Sequence, residues 1–396
     1  MLDGGDALLS EYQYYQFQSI DRPLTDRQMG ELRAISTRAD ITPTSFVNVY
    51  HWGDLKARPL DLMKKYFDAH LYVANWGTRC LMLKVARDLV DVDVSRQYCT
   101  DETMSLHLHR DYVIFVFTSN DDCHDDCHDD WDSGERWLPS LLPLRDDLSR
   151  GDSRSLYLGW LAGIWEEDDQ LEPPIPPGLS QLSGAIQTLM DFLYLDPHLV
   201  TSAAKQDSGS PPSGPSDAEI TDWVAQLPAA DKDELVAKLL SGGDTTGDFS
   251  VLRRRFQKEW NEKHTSQSSV ADPTRRTAAE IFQVARELTK EANRREAERH
   301  AREEVRRKRK TAAERKRYLE SLAPKADKIW ADVELLLGTN NQKNYDRAVK
   351  WLRDLGDLAT TVSSDADAWE DRVRELRRRH SRKSSLMKRF DKASFP

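Results

Sequence analysis

The sequence predicts an α+β domain with a helical annex, followed by an all-α region that contains one long charged helix. Residues 11–118 carry strand-like segments in which aromatic and β-branched residues predominate. Between Pro273 and Pro324, a run rich in Ala, Glu, Arg and Lys is interrupted by neither Gly nor Pro. Helical signals continue from there to the C-terminus, so the two classes of structure occupy different parts of the chain.

The first part of the chain carries strand and helix signals in turn. The predicted strands are 12–20, 46–52, 69–76, 78–85, 104–109 and 112–118. The predicted helices are 26–36, which follows the capping-box pair Thr25 and Gln28, and 60–67. Asn75-Trp76-Gly77 is typical of a hairpin turn. The order β-α-β-α-β-β favours a sandwich of the ferredoxin-like type.

Composition marks the remaining boundaries. Residues 1–10 are predicted to be a disordered tail, and 11–200 an acidic domain that includes an acidic loop at 119–135 and a helical annex. The Ser-, Pro- and Gly-rich stretch 201–216 predicts a flexible linker. The parts predicted beyond it are a small helical segment at 217–265, the long charged helix at 273–323 and a small helical bundle at 324–396, with Trp330, Trp351 and Trp369 as packing anchors.

Charge divides the chain into two unlike parts. Acidic residues outnumber basic ones about two to one in residues 1–250, whereas basic residues predominate in 251–396, and the whole chain carries −10. Much of the acidity lies in the loop, and much of the positive charge lies in two short clusters. This contrast predicts an intramolecular clasp between the acidic loop, at 121–130, and the basic arm.

The sequence also indicates a compartment. Four cysteines in 396 residues are too few for a disulfide framework. The first residues lack the basic start and apolar stretch of a signal peptide. The purest apolar run, Tyr112 to Phe117, is far shorter than the roughly 20 residues that span a bilayer. We therefore expect a cytoplasmic protein without a membrane partner.

A group of Cys and His residues makes a metal site one hypothesis. If residues 104–109 form a strand, the side chains at 107 and 109 point to one face. Cys and His are the ligands that zinc prefers, and the potential ligands are His107, His109, Cys123, His124, Cys127 and His128. A duplicated four-residue unit in an acidic loop explains the same Cys and His residues without a metal. We expect no cofactor, with zinc as the alternative.

Catalytic signals are weaker still. His51, between Tyr50 and Trp52, and Asp111 beside His109 are possible acid–base groups. The sequence lacks a nucleophile elbow, a phosphate-cradling Gly-rich loop and a His-Glu-x-x-His pair. A lone His between aromatic neighbours is more often a structural group. The sequence therefore favours a non-enzymatic protein, with a metal-dependent enzyme centred on His107 and His109 as an alternative.

The long helix carries a dense basic cluster. Its Lys and Arg residues between Val305 and Arg317 are Arg306, Arg307, Lys308, Arg309, Lys310, Arg315, Lys316 and Arg317. Such a cluster can neutralise phosphates and bind nucleic acid. The competing interpretation is a solvated helical strut or protein-binding arm, held by the i,i+4 pairs Glu298/Arg302, Glu303/Arg307 and Glu304/Lys308.

The start of the same helix suggests self-association. Its apolar spacing over 278–288 permits coiled-coil pairing, through Ile281, Phe282, Ala285 and Leu288. Farther along the helix, the apolar positions are occupied only by Ala and Val, so an isolated charged helix is favoured there.

Two segments resemble an uncharacterised bacterial protein family. They are Ile41–Asn48, running into Tyr50–Asp54, and Phe67–Gly77. Leu156–Gly163 and the Pro-rich Glu172–Gly178 extend the resemblance to about residue 200. It implies a bacterial origin and a shared fold, and no mechanism. The end at 378–390 is similar to the tails of some SWIM zinc-finger proteins, but the Cys-x-Cys…Cys-x-His pattern that defines SWIM does not occur, so no zinc function is implied.

Taken together, these patterns predict a bacterial, cytoplasmic interaction or scaffold protein that engages a partner, most simply another protein, through its basic helical arm. Nucleic-acid binding by that arm is the alternative.

Overall fold

The computed structural model describes two units. The described residues are 11–100, 102–120, 134–167, 169–207, 209–212, 214–243, 245–264, 275–339, 341–363 and 365–396. Unit 1 ends at Lys290 and unit 2 begins at Glu291. Each unit has its own hydrophobic core.

Unit 1 is organised around one seven-stranded sheet. The strands are β1 (Gln13–Gln18), β2 (Asp40–Ile41), β3 (Ser45–Tyr50), β4 (Ala69–Ala74), β5 (Arg79–Ala86), β6 (Met104–Leu108) and β7 (Tyr112–Ser119). Their order in the sheet is β2-β3-β1-β4-β5-β7-β6, and each pairing is antiparallel. Gly77, with φ of 90°, closes the predicted hairpin between β4 and β5.

The α+β class is confirmed, and the pairing corrects the finer topology. The helices of unit 1 are α1 (Asp26–Ile35), α2 (Pro59–Lys65), α3 (Val92–Arg96), α4 (Trp137–Leu141), α5 (Pro143–Ser149), α6 (Arg154–Ala162), α7 (Gly184–Phe192), α8 (Pro197–Ala203), α9 (Asp217–Gln226), α10 (Ala229–Leu240) and α11 (Thr246–His264). The strands β1 and β3, on either side of α1, are direct antiparallel neighbours. A ferredoxin-like sandwich instead separates two parallel strands of a split β-α-β unit, so the ferredoxin-like prediction does not describe this sheet.

Alternating side chains of the strands build a core on each face of the sheet. Tyr15 and Ile114 pack on one face with residues of α1 and α2. Their neighbours Tyr14 and Phe115 pack on the other face with residues of α4 to α8. Because β7 lies between β5 and β6 and is buried on both faces, its long apolar run is explained.

The structure places the start of the predicted linker inside unit 1. Ser202 and Ala203, at the end of α8, are fully buried. The carboxylate of Asp207 accepts hydrogen bonds from the backbone N–H groups of Gly178 and Ser180, each at 2.9 Å. Residues 201–207 are therefore an ordered part of the domain, which the Ser and Pro content of the stretch did not indicate.

The small helical segment also packs against the preceding domain. On α11, Arg254 pairs with Asp88 at 2.8 Å and Arg253 pairs with Asp146 at 2.7 Å. The side-chain amide of Asn261 donates to the carbonyl of Ser149 at 2.9 Å. These contacts join α11 to α5 and to the turn after β5.

The long helix, α12 (Ala278–Leu322), begins in the core of unit 1. Ala278, Ile281 and Ala285 are buried there, and Phe282 packs against the same cluster. The apolar face that predicted self-association over 278–288 is therefore covered by this chain's own side chains. Self-association through 278–288 stays a prediction, although Ala278, Ile281 and Ala285 are not exposed for it.

Unit 2 contains the rest of α12 and four further helices. They are α13 (Ala326–Gly338), α14 (Gln342–Leu358), α15 (Ala366–Arg379) and α16 (Ser384–Lys392). Trp330 is buried in their common core with Leu352 and Phe390, and Trp351 and Trp369 pack against it. The helical character predicted for 324–396, with its three Trp residues as packing anchors, is therefore confirmed.

Candidate functional site

The two histidines at the centre of the metal hypothesis lie at the edge of the sheet. His107 is an exposed residue of β6, the edge strand, and His109 follows the end of that strand. The His109 ring stacks on Tyr112 at 4.2 Å, and its Nδ1 accepts the backbone N–H of Asp111 at 3.3 Å. Partial desolvation of the ring, with a smaller contribution from the charge of Lys64, lowers the pKa of His107, which favours its neutral form.

The remaining candidate ligands cannot be placed beside these two. Cys123, His124, Cys127 and His128 lie outside the described residues. Within the parts of the chain that the structure describes, no cluster of three His, Cys, Asp or Glu side chains has the arrangement of a metal site. The zinc hypothesis thus stays a prediction that the described geometry does not support.

His51 is far from both histidines. It follows the end of β3, and its ring meets Tyr12 edge to face at 5.6 Å. Four strands lie between β3 and β6, so five steps of about 4.8 Å put these two strands roughly 24 Å apart. The register also places His51 at the opposite end of the strands from His107. The convergence that an acid–base site would need does not occur.

The predicted basic cluster divides into structural and exposed members. Arg315 donates to Asp354 at 2.6 Å and to Asp357 at 2.5 Å, and Tyr318 donates to the same Asp354 carboxylate at 3.1 Å. Asp354 is buried, so this network belongs to the core edge of unit 2. Arg315 is therefore a packing residue rather than part of a free basic surface.

Several other members of the cluster form pairs along the helix. Lys308 meets Glu304 at 2.7 Å, and Lys310 meets Glu314 at 3.9 Å. Lys316 and Glu320 are 4.0 Å apart, and the predicted pair Glu298/Arg302 forms at 3.9 Å. Such exposed pairs stabilise a helix by about 0.2–0.5 kcal/mol each. Together they explain how a helix with few apolar residues is maintained.

The middle of α12 is the longest run of consecutive exposed helical residues among those that the structure describes. Every residue from 293 to 314 is exposed, over roughly 33 Å of helix axis. We call these residues the exposed stretch. Its basic residues are Arg294, Arg295, Arg299, Arg302, Arg306, Arg307, Lys308, Arg309 and Lys310.

Five arginines of the exposed stretch lie on one side of the helix. They are Arg295, Arg299, Arg302, Arg306 and Arg309, which we call the arginine row. Successive members are four, three, four and three residues apart, so at about 100° per residue they fall within a sector of roughly 80°. Four of the five line one shallow groove, flanked by Glu298 and Glu303. Sequence reasoning missed this row because it grouped the basic residues as one run from 305 to 317 and did not compare their angular positions around the helix.

Unit 1 contains a second polar feature, a cleft of about 910 Å³. It lies among the ends of β1 and β5, α5 and α11, and its charged lining includes Asp21, Lys84, Arg145 and Arg254. Arg145 donates to Asp21 at 2.6 Å and to the carbonyl of Lys84 at 2.7 Å.

The most buried charge of this cleft is Asp68. Its carboxylate accepts the N–H groups of Ile20 and Asp21 at 2.8 and 2.9 Å, and meets Lys84 at 2.9 Å. Burial opposes its ionisation, but the charge of Lys84 and these hydrogen bonds together lower the pKa of Asp68 below its ordinary value. The buried charge of Asp68 is already paired. The cleft is therefore lined by an ionic network that joins elements of unit 1.

Known proteins give no further guide to the site. A comparison of the chain with protein families, with curated proteins and with solved structures finds no match. The resemblance of residues 41–200 to a bacterial family is thus untested. Among the described residues, no helix combines the length and the apolar character needed to cross a bilayer.

Proposed function

We propose that this chain is a non-enzymatic interaction or scaffold protein whose exposed stretch of α12 engages a partner. The observation that carries the proposal is the run of 22 consecutive exposed helical residues at 293–314. Most helical stability in proteins comes from tertiary packing rather than from helix propensity. Here Leu319, which follows the stretch on the same helix, is buried in the core of unit 2.

The chemistry of the exposed stretch also supports a binding surface. Arg295 pairs with Glu291 at 2.5 Å and Arg299 with Glu296 at 3.2 Å, so intrahelical ion pairs hold the surface in helical form. Exposed pairs of this kind exchange readily with other anions because each contributes little to stability. A partner therefore meets a preformed helix whose charges are available.

We extend the proposal to the cell compartment and to the family. Only four cysteines occur in the chain, which suits a reducing cytoplasm. The segments within 41–200 that resemble an uncharacterised bacterial family support a bacterial origin for the protein.

The proposal is tested with a photo-crosslinking amino acid placed in the full chain. Val305 and Ala313 are the test positions on the exposed stretch, and Ala237, an exposed residue of α10, is the control. We expect one dominant adduct from both test positions and none of it from the control. The purified partner should then bind the chain and lose affinity for the V305E/A313E variant. Equal adduct yields at all three positions would contradict the proposal.

A further inference from the structure

We infer that the partner of the exposed stretch is duplex DNA, bound through its phosphates by the arginine row. This rests on the proposed function, because it names the partner of the same surface. The row presents five guanidinium groups on one side of a helix. Guanidinium groups donate paired hydrogen bonds to phosphate oxygens, and their charge is independent of pH.

The row is long and accessible enough for this contact. From Arg295 to Arg309 the helix rises by roughly 21 Å, which matches about six phosphates of one strand at 3.4 Å each. The side chains of Arg295, Arg299 and Arg302 are 73%, 64% and 84% exposed. Among the ion pairs of the described residues, none includes Arg306 or Arg309. The row therefore carries positive charge that its own helix leaves uncompensated.

The composition of the surface distinguishes DNA from a protein partner. Protein interfaces combine Arg with aromatic anchors in a well-packed core that is largely apolar. In the exposed stretch the apolar residues are four alanines and Val305, and the five positions of the row are all Arg. Nucleic-acid interfaces, in contrast, are polar and strongly positive. The surface lacks the aromatic and apolar core of a protein interface and has the positive charge that attracts a polyanion.

The form of the nucleic acid follows from two further properties. Single strands are held by stacking on aromatic side chains, and residues 293–314 contain no Phe, Tyr or Trp. The major groove of B-DNA is about 12 Å wide and admits an α-helix, whereas that of an RNA duplex is deep and narrow. An exposed helix without aromatic residues thus fits duplex DNA best.

The test measures binding of the full chain to a labelled DNA duplex of about 20 base pairs by fluorescence anisotropy, from about 50 to 200 mM salt. If the whole row neutralises phosphates, log K should fall against log salt with a slope of about −4 to −5. The variant R299Q/R302Q/R306Q should make this slope shallower by about 3 and weaken binding at least about tenfold at low salt.

The matched control removes the same charge from other sides of the same stretch. In R294Q/R307Q/K308Q three positive charges are lost outside the row, so we expect the slope to change by less than about 1. Circular dichroism of both variants should match the wild type, which shows that the helix is intact. Equal losses in the two variants would overturn the row as the binding surface.

Other outcomes separate this inference from the proposed function. Absence of DNA binding at low salt, or equal competition by an acidic polypeptide such as polyglutamate, would overturn the DNA inference. If crosslinks from Val305 and Ala313 then led to a protein, the proposed function would stand without it. If those positions gave no specific adduct, the proposed function itself would fail.

Discussion

Arg276 holds the carboxylate of Glu172 with two hydrogen bonds, from Nε and Nη2, each of 2.8 Å. Tyr157 donates to the same carboxylate, and Arg276 also donates to the carbonyls of Ser202 and Ala203 at 3.0 and 2.9 Å. Burial, reinforced by the negative charge of Glu172, raises the pKa of Tyr157 well above its ordinary value, so it remains a donor. This network fixes the residues just before α12 to α6 and α8.

Loss of the Glu172 charge should destabilise unit 1 severely. In E172Q the guanidinium of Arg276, whose side chain is only 12% exposed, remains buried without its anion. Leaving such a charge uncompensated costs about 3–5 kcal/mol. The measurement is the free energy of unfolding in urea. The matched control is E166Q, which removes the exposed partner of Arg286 and should cost at most about 1 kcal/mol. Similar costs for both variants would contradict the buried clamp.

The buried His70 should make folding weaker in acid. Its ring stacks on Phe17 at 4.0 Å, its Nδ1 lies 3.0 Å from the Gln16 carbonyl, and burial lowers its pKa to about 3. The unfolded chain takes up this proton near pH 6.5, whereas the folded chain does not. Above about pH 6.5 this group does not reduce the free energy of unfolding. From there towards pH 3, this group alone lowers the free energy of unfolding by about 1.4 kcal/mol per pH unit.

Urea unfolding at several pH values tests that dependence. The variant H70M removes the titrating group from the core, and H109M removes an exposed histidine as the control. We expect the acid-dependent loss between pH 6.5 and 5 to shrink in H70M and to persist in H109M. An unchanged pH dependence in H70M would show that the proton is taken up by both states alike.

The two arginines at 315 and 317 should behave differently although they are neighbours. R315A removes the partner of the buried Asp354, and we expect a loss of about 1–2 kcal/mol because the Arg315 side chain is itself 40% exposed. R317A removes an exposed side chain and should cost less than about 0.5 kcal/mol. Thermal or urea unfolding of the full chain, followed by a probe in unit 2 such as its buried Trp330, measures both.

Zinc analysis of the purified chain tests the metal hypothesis. One nitrogen of His109 already accepts the N–H of Asp111, and His107 lies exposed on an edge strand. We expect less than one zinc per chain, with no difference between the wild type and a C123S/C127S variant. Stoichiometric zinc that the double variant loses would establish a site in the acidic loop.

Local patterns were sufficient to predict most secondary structure. The capping box of Thr25 and Gln28 forms as expected, and six of the seven strands lie where aromatic and apolar residues alternate or cluster. The strand that was missed, Asp40–Ile41, has two residues and is too short to carry a periodic signal. The order of the sheet was not predictable in the same way, because pairing joins residues that are distant in sequence.

The exposed stretch shows the same difference between what local sequence patterns predict and what tertiary contacts decide. The sequence by itself determined that α12 would be long, helical and basic, since helix propensity and ion pairs act within a few residues. Only the tertiary structure decided which of its parts are exposed. Ile281 is buried in the core of unit 1, and Arg315 pairs with carboxylates of α14 in unit 2. The arginine row is exposed on the surface. Burial depends on contacts between distant segments, and a local pattern cannot specify those contacts.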